Sequence, residues 1–318
     1  MTQSRFQQTI ESLFHQYHGL HAGEIATYIP ELAKADPDLF CIAIQLVDGT
    51  RHVIGDEDAA FTIQSVSKPL ALGQALCCAG RNEVIKTVGV EPTGNSFSSL
   101  VGLDAAGKPL NPMVNAGAIA TTSLLPGDSP ADRYESMRQA MGLYLGQTPE
   151  LDDTVYQSER RTGDRNCALG YLLRSKGTIT GDVEQHIDLY FKQCSLLTTA
   201  PMLACAGATL ANYGFNPTTN KQAIESGYVR DILTVMHMNG MYDYAGRWAY
   251  EVGIPAKSGV SGAIMAVVPG LMGIAVYSPR LDTYGNSVRG LATCRDFIAK
   301  YNMHMFDRSA NRAHPGSD

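Results

Sequence analysis

A serine and a lysine separated by three positions, Ser65 and Lys68, are the side chains of this chain that most clearly combine into a reactive pair. On a helix, residues at this spacing lie on one face with their side chains within reach of each other. If burial lowers the pKa of the lysine, its amine can take the proton of the serine hydroxyl and make it a nucleophile. The spacing alone is a weak signal, because a serine that caps a helix next to a solvated lysine is the more common arrangement.

Pro69 predicts where the helix that carries this pair begins. Proline donates no backbone hydrogen bond and costs about 3 kcal/mol deep inside a helix. The first N–H groups of a helix have no intrahelical partner, so a proline there costs little. With Ser65 at the helix start, its hydroxyl lies among unpaired N–H groups at the positive end of the helix dipole.

A second stretch, Lys257-Ser258-Gly259-Val260, can complete such a site. It lies in an apolar segment that reads as a strand, where a glycine permits a substrate to approach the backbone closely. A backbone N–H from this strand, together with that of Ser65, would form an oxyanion hole. The two stretches therefore indicate acyl-transfer chemistry.

The elements around these stretches follow one another in a simple order. Asp48-Gly49 is a strong hairpin signal between the predicted strands 39–47 and 51–55. Residues 81–235 are mostly helical in pattern. Three apolar segments (254–260, 263–268 and 271–277) then predict strands of one sheet, and a helix closes the chain at 288–301.

Composition and charge exclude several classes of partner. The chain has 318 residues, of which 44% are hydrophobic and 18% charged, as in ordinary globular proteins. A formal charge of −6 argues against nucleic acid or an anionic membrane. No apolar stretch is long enough to span a bilayer, and the start lacks the pattern of a signal peptide. Seven scattered cysteines without metal-type pairing indicate reduced thiols in a cytoplasmic protein.

The frame of Ser-x-x-Lys on a helix and a late Lys-Ser-Gly strand, separated by a helical insertion, is similar to that of serine β-lactamases and penicillin-binding proteins. The middle element of that family, Ser-Asp-Asn or Tyr-x-Asn, is missing between them. Tyr284-Gly285-Asn286 has the pattern but follows Lys257, which is the wrong order. The frame favours the fold of this family and disfavours a β-lactam or peptidoglycan substrate.

Longer motifs resemble the bacterial type of the serine-dependent glutaminase family, which shares the β-lactamase-like fold and hydrolyses the side-chain amide of L-glutamine. The resemblance runs from about Tyr28 to Tyr301. It implies an α/β chain of the α+β type, with an antiparallel sheet flanked by helices and a large helical insertion. The matching segments are Tyr28-Ile29-Pro30, Gln64-Ser65-x-x-Lys68-Pro69-Leu70, Asn111-Pro112-Met113-Val114-Asn115-Ala116-Gly117-Ala118-Ile119, Glu159-x-x-x-Gly163-Asp164-Arg165-Asn166, Gly240-Met241-Tyr242-Asp243 and Pro255-Ala256-Lys257-Ser258-Gly259-Val260.

The resemblance implies a role for each matching residue. Ser65 is the nucleophile, Lys68 accepts its proton, and Tyr242 shares in proton transfer. Val260 completes the oxyanion contacts through its backbone. A γ-glutamyl ester on Ser65 is then hydrolysed by water. The residues implied to bind the substrate are Ser65, Asn115, Glu159, Asn166, Tyr190, Tyr242 and Val260.

Two further residues are implied to lie at the edge of the site. Tyr28 belongs to a segment that approaches the pocket mouth, and Lys257 supports the hydrogen-bond network without contacting the scissile amide. The side chain of Ser67 is expected to point away from the catalytic face. On composition alone, the polar run from Ser158 to Asn166 would be interpreted as a solvated loop.

The charges of glutamine agree with the implied roles. Its cationic amine and anionic carboxylate must both lose water on binding. Glu159 supplies the charge opposite to the amine, while the Asn115 and Asn166 amides and the Tyr190 hydroxyl can meet the carboxylate and the amide. A substrate that left Glu159 buried and unpaired would be disfavoured.

One glutaminase domain is expected over residues 1–306. A sheet subdomain would comprise about 1–64 and 240–306, a helical subdomain about 65–239, and residues 307–318 a disordered tail. No metal or organic cofactor is expected, and the partner is L-glutamine rather than nucleic acid or a membrane. The resemblance implies a cytoplasmic homo-oligomer, either a dimer or a tetramer.

Two other functions fit parts of the pattern. A β-lactam-interactive serine hydrolase would use the same frame and would be acylated at Ser65. A non-catalytic amino-acid sensor would keep the pocket without turnover, although a sensor has no need for a nucleophile and a base together.

Overall fold

A five-stranded antiparallel sheet organises the part of the chain that the structure, a computed structural model, describes, residues 4–93 and 102–307. The strand order is β2-β1-β9-β8-β7, so the N-terminal hairpin pairs with the last strand in the chain. Two short two-stranded sheets lie outside it. The strands are β1 (Cys41–Leu46), β2 (Arg51–Gly55), β3 (Phe61–Thr62), β4 (Leu197–Thr198), β5 (Phe215–Asn216), β6 (Lys221–Gln222), β7 (Ala256–Gly259), β8 (Ala263–Val268) and β9 (Met272–Tyr277).

The helices of the described residues fall into two groups. Most lie between β2 and β7 in the chain, as the predicted helical insertion requires, and the others are the first and last helices. They are α1 (Arg5–His18), α2 (Lys68–Thr87), α3 (Asn115–Ser123), α4 (Pro130–Leu145), α5 (Asp153–Thr162), α6 (Asp164–Ser175), α7 (Val183–Cys194), α8 (Ala200–Ala211), α9 (Ser226–Asn239), α10 (Ala245–Glu251) and α11 (Val288–Tyr301).

Helices cover both faces of the sheet, so every residue of β1, β8 and β9 is buried. Alternate residues of β1 belong to different cores, Ile42 and Ile44 packing with α1 and α11, and Cys41 and Ala43 packing with α2 and α8. Helix α8 lies directly on β9. A Cβ atom at Gly273 of β9 would come within 2.2 Å of backbone atoms of this helix. The turn before α2 contacts the sheet elsewhere, at Gly259 of β7.

The polar run from Ser158 to Asn166 is not a loop, and that expectation is wrong. Helices α5 and α6 meet there at Gly163, where a side chain would come within 2.4 Å of the Phe191 ring. Ser158 and Glu159 are buried in this junction, whereas the arginines beside them are exposed. The run is polar because one face of α5 serves the interior site and the other faces solvent.

The start of α2 differs from the predicted one. A 3₁₀ turn at Gln64–Ser67 precedes the helix, and Pro69 occupies the first turn of α2 as predicted. Gly80, at φ 78°, is not helical and interrupts α2, and a second helical segment follows it to Thr87. The division into subdomains stays a prediction, and residues 308–318 of the expected tail lie outside the described residues. Across the described ranges, we find no helix with the length and apolarity needed to cross a membrane.

Arg289 of α11 holds the segment that contains Tyr28 at both of its ends. It is 1% exposed. Its guanidinium donates to His18 O at 2.8 Å and Leu20 O at 2.9 Å on one side, and to Asp38 O at 3.0 Å on the other. These carbonyls would be left without that donor if the arginine were removed.

We expect Arg289→Leu to lower the free energy of unfolding by about 3 kcal/mol, because buried carbonyls lose charged donors. Arg295→Leu on the same helix is the control, since its side chain is half exposed and its interactions are with Asp296 and the half-buried Tyr17 rather than with buried carbonyls. That control should change stability by less than about 1 kcal/mol. Urea denaturation of both variants measures the difference, and equal losses would contradict this role of Arg289.

Candidate active site

The turn that carries Ser65 has a strained backbone, which is stabilised by hydrogen bonds of the Ser67 hydroxyl. Gln64 has φ 48°, a left-handed conformation that costs a residue with a side chain about 1–3 kcal/mol. The Ser67 hydroxyl donates to Gln64 O at 2.7 Å and accepts from Gln193 Nε2 at 2.9 Å. Ser67 therefore points away from the catalytic face, as expected, and Ser65 is presented at 7% exposure.

The amine of Lys68 is buried, and it donates two hydrogen bonds within the protein. Its Nζ donates to Met113 O at 3.0 Å and to Asn115 Oδ1 at 2.8 Å, and the residue is 1% exposed. Burial lowers its pKa to about 8, although the negative charges of Cys194 and Glu159 oppose the shift. A neutral amine has two hydrogens, so these bonds leave its lone pair free to act as a base.

The direction of hydrogen bonding continues from Lys68 to Asn166. The protonated amine of Lys68 can only donate, so Asn115 Oδ1 accepts from it, which leaves Asn115 Nδ2 to donate to Asn166 Oδ1 at 3.0 Å. The amide nitrogen of Asn166 is then the group that can donate to a ligand. A carboxylate is the natural acceptor for it.

Glu159 contributes a buried carboxyl group that does not have all of its hydrogen bonds. It is 5% exposed, and its Oε2 atom is buried with no hydrogen-bond partner among the described residues. Burial raises its pKa to about 8, offset in part by the positive charge of Lys68 and by the nearby hydroxyl of Ser195. Buried charged groups are normally paired, so the free oxygen indicates a site for a cationic ligand group.

Two tyrosines close the pocket around Glu159. Tyr190 is 2% exposed, and its pKa is raised well above its ordinary value, first by burial and then by the negative charges of Cys194 and Glu159. Tyr28 is 53% exposed, yet burial of its hydroxyl, followed by the charge of Glu159, raises its pKa as well. Its ring therefore lies across the surface with the hydroxyl end directed into the pocket.

Tyr242 bonds to Ser65 in a direction that the structure fixes. Its hydroxyl donates to Ser258 O at 3.0 Å, and it also shares a hydrogen bond with Ser65. A tyrosine has one hydroxyl hydrogen and a carbonyl can only accept, so Ser65 is the donor to Tyr242. Burial raises the pKa of Tyr242 far above neutrality, so it is a neutral phenol.

The end of β7 lies against the turn that carries Ser65. A Cβ atom at Gly259 would come within 3.1 Å of Val66 Cγ2 and 3.3 Å of Ile63 O. Val260, which follows, is 5% exposed. This contact brings the backbone of the Ser65 turn next to the segment that leads into Val260, and the oxyanion hole formed by their N–H groups stays a prediction.

The structure brings the predicted site residues together, Tyr28 and Lys257 included. Sequence reasoning missed five groups that contact them: the thiol of Cys194, the hydroxyl of Ser195, and the carbonyls of Met113, Gly240 and Ser258. One of the five had a usable signal. Cys194 lies four residues after Tyr190 on α7, and therefore on the same helical face.

Comparison with known proteins identifies the family. The family model described as Glutaminase matches residues 23–306. The chain belongs to the glutaminase family. A glutaminase of Nostoc sp. is 49% identical over 300 residues, which cover 94% of this chain and 90% of that protein.

Solved glutaminase structures share the fold. The probable glutaminase ybaS superposes with a TM-score of 0.93 at 42% identity, covering 95% of this chain and 98% of that one. A probable glutaminase from Bacillus subtilis, complexed with 6-diazo-5-oxo-L-norleucine, has a TM-score of 0.87 at 33% identity, covering 96% and 99%. The predicted glutaminase family and the β-lactamase-like fold are both confirmed.

Proposed function

We propose that this glutaminase hydrolyses the side-chain amide of L-glutamine to L-glutamate and ammonia through an ester on Ser65. The observation that carries the proposal is the unpartnered, buried Oε2 of Glu159 in the same pocket as Ser65 and the buried amine of Lys68. A nucleophile, a base and a receptor for a cationic amine are what an amidase for a free amino acid requires.

The two charged ends of glutamine have separate receptors in this proposal. The α-ammonium binds the free oxygen of Glu159. The α-carboxylate accepts from Asn166 Nδ2 and from the hydroxyl of Tyr190, while Tyr28 closes over the amino-acid end. These contacts leave the side-chain amide directed towards Ser65, with its oxygen on the N–H groups of Ser65 and Val260.

In the first step, the hydroxyl of Ser65 turns from Tyr242 to Lys68, whose lone pair takes the proton. The serine oxygen attacks the amide carbon, and the negative charge moves to the carbonyl oxygen in the oxyanion hole. When the C–N bond breaks, Lys68 gives its extra proton to the leaving nitrogen. Ammonia departs, and Lys68 is neutral again beside a γ-glutamyl ester.

In the second step, Lys68 takes a proton from water, and the resulting hydroxide attacks the ester carbon. The Ser65 oxygen leaves, receives a proton from Lys68, and accepts a hydrogen bond from the Tyr242 hydroxyl as that group turns from Ser258 O. Each proton in the cycle is assigned to a side chain or to water. The proposal therefore includes no metal and no organic cofactor.

The 6-diazo-5-oxo-L-norleucine found with the Bacillus subtilis protein supports the substrate. Its chemical name describes an L-amino acid with a ketone at C5, where glutamine has its amide carbonyl. An electrophilic carbon at that position would face the nucleophile in the orientation proposed here.

We expect kcat/KM to rise with pH through about 8 and to fall again at higher pH, where the α-ammonium of free glutamine loses the proton that lets it pair with Glu159. The active free enzyme needs neutral Lys68, whose pKa is lowered to about 8, and ionised Glu159, whose pKa is raised to about 8. Both groups lose a proton as pH rises, so the slope of log kcat/KM against pH should exceed one on the acid side.

Glu159→Gln is the matched variant for the pH profile. It should raise KM by about 100-fold, equivalent to roughly 3 kcal/mol of binding free energy. It should also reduce the acid slope towards one, because only Lys68 then titrates. A profile with its maximum below pH 6, or one unchanged by Glu159→Gln, would contradict these assignments.

The function is tested by ammonia release from L-glutamine, L-asparagine and a chromogenic β-lactam, measured for wild type and Ser65→Ala. Turnover of glutamine that disappears in the variant supports the proposal. Turnover of the β-lactam instead would keep the fold and replace the function. Binding of glutamine without ammonia release would identify the sensor.

We further propose that the protein is a cytoplasmic homo-oligomer, either a dimer or a tetramer. The support is the family resemblance and the pattern of scattered, unpaired cysteines. Light scattering coupled to size-exclusion chromatography measures the mass directly, and a monomer at micromolar concentration would contradict the proposal.

A further inference from the structure

Lys257 is a second lysine in the site, and the reaction scheme gives it no step. It is 0% exposed on β7. Its Nζ donates to Gly240 O at 2.9 Å and to Ser258 O at 2.6 Å, and it lies 3.9 Å from the centre of the Tyr242 ring. An amine this deeply buried would have to contribute something that an apolar side chain of the same length does not.

The groups that Lys257 contacts are those that fix Tyr242. Gly240 lies two residues before Tyr242 in the chain, so a bond to its carbonyl holds the backbone that leads into the tyrosine. Ser258 O accepts from both the Lys257 amine and the Tyr242 hydroxyl. The amine itself lies against the face of the tyrosine ring. Lys257 therefore contacts three groups around Tyr242: the backbone that precedes it, its aromatic ring, and the carbonyl that accepts its hydroxyl hydrogen bond.

Tyr242 needs this support because its backbone is strained. Its φ is 54°, in the left-handed region that residues with side chains rarely adopt. Such conformations persist where surrounding contacts over-determine them. The neighbouring Gly240 is pressed against β7 so closely that a Cβ atom there would lie 1.7 Å from Ala256 O. The Lys257 amine adds hydrogen bonds to Gly240 O and Ser258 O, which further link the segment before Tyr242 to β7.

We propose that Lys257 is a positioning residue that keeps Tyr242 in its left-handed conformation, with the tyrosine oxygen facing Ser65. The inference rests on the proposed serine mechanism and adds to it. Lys257 contacts neither substrate nor reacting atoms; its effect on the reaction passes through Tyr242. Its removal should lower kcat more than it raises KM, because Glu159, Asn166 and Tyr190 belong to other elements.

A double-mutant cycle between Lys257→Met and Tyr242→Phe tests the proposal. Methionine keeps the length of the buried stem, and phenylalanine removes only the tyrosine hydroxyl. In the wild-type background we expect Lys257→Met to lower kcat about 10- to 100-fold, at most the lower end of the range for a lost general acid–base contribution, because Tyr242 is displaced rather than removed. In the Tyr242→Phe background the same change should cost less than about 3-fold, as expected for residues that act as a unit.

Three controls separate positioning from general damage. Met265→Leu changes the residue that pairs with Lys257 on β8, and should leave kcat within about 3-fold because volume-conserving core changes are well tolerated. Circular dichroism reports whether each variant folds. If Lys257→Met does not fold, Lys257→Gln replaces it in the cycle, since its amide keeps a polar group in the buried site but ends one bond short of the position of the lysine Nζ.

Each outcome of the double-mutant cycle either supports or overturns the proposed role of Lys257. A strong interaction between the two substitutions, with KM nearly unchanged, supports the proposal. Equal losses in both backgrounds, a raised KM with normal kcat, or full activity in Lys257→Met would overturn it. Failure of the wild-type enzyme to release ammonia from glutamine would instead overturn the proposed function, and the two failures are therefore distinguishable.

Discussion

Replacing Ser65 with alanine is expected to lower kcat for glutamine by at least about 10⁴-fold, because removal of a nucleophile leaves only binding and the oxyanion hole. The contacts to the amino-acid end do not involve the hydroxyl, so the affinity for L-glutamate should change by no more than about 3-fold. Steady-state ammonia release and calorimetric titration with L-glutamate measure the two quantities. Together they separate loss of chemistry from loss of the pocket.

Ser278→Ala is the matched control for this variant. Ser278 is also buried, and its hydroxyl has no hydrogen-bond partner, so its removal leaves no donor or acceptor unsatisfied. We expect its kcat to stay within about 2-fold of wild type. If Ser65→Ala kept a tenth of the wild-type rate, or if both variants lost activity equally, Ser65 would not be the nucleophile.

Lys68→Met is expected to have the next largest effect, a loss of about 10³- to 10⁴-fold in kcat. Methionine fills the fully buried site of the lysine stem but has no lone pair able to accept the serine proton. The acid slope of the residual log kcat/KM should also fall towards one, because Lys68, whose pKa is lowered to about 8, is gone and only Glu159, whose pKa is raised to about 8, still titrates. The variant is therefore diagnostic in both its rate and its pH profile.

Lys86→Met is the control on the same helix. Its amine is exposed and pairs only with Glu83 three residues earlier, so the change should be silent in kcat. Stopped-flow measurement of the first turnover places the defect of Lys68→Met in acylation. A normal acylation rate in that variant would assign the base to another group.

Local signals predicted the nucleophile turn well. Pro69 marks the first turn of α2 and Ser65 lies just before it, because the missing N–H of proline restricts it to that position. The 3₁₀ form of the turn was not predictable. It depends on Ser67, which is held by Gln193 from a helix more than a hundred residues away.

The environment of Glu159 shows what local pattern cannot reveal. A run containing three arginines and two acidic residues reads as solvated, yet Glu159 faces the interior, and only packing against α7 decides that. The family resemblance identified the residue, while its unpartnered oxygen appears only in three dimensions. The same holds for Tyr242, whose strained backbone has no signal in the sequence.

The central claim is the ester on Ser65, and intact-mass spectrometry after rapid acid quench tests it most directly. Wild-type enzyme mixed with saturating L-glutamine should gain the mass of one γ-glutamyl group, and peptide mapping should place that group on Ser65. Ser65→Ala should show no such gain. Steady turnover with no adduct at any quench time, or an adduct on the buried thiol of Cys194, would contradict the mechanism.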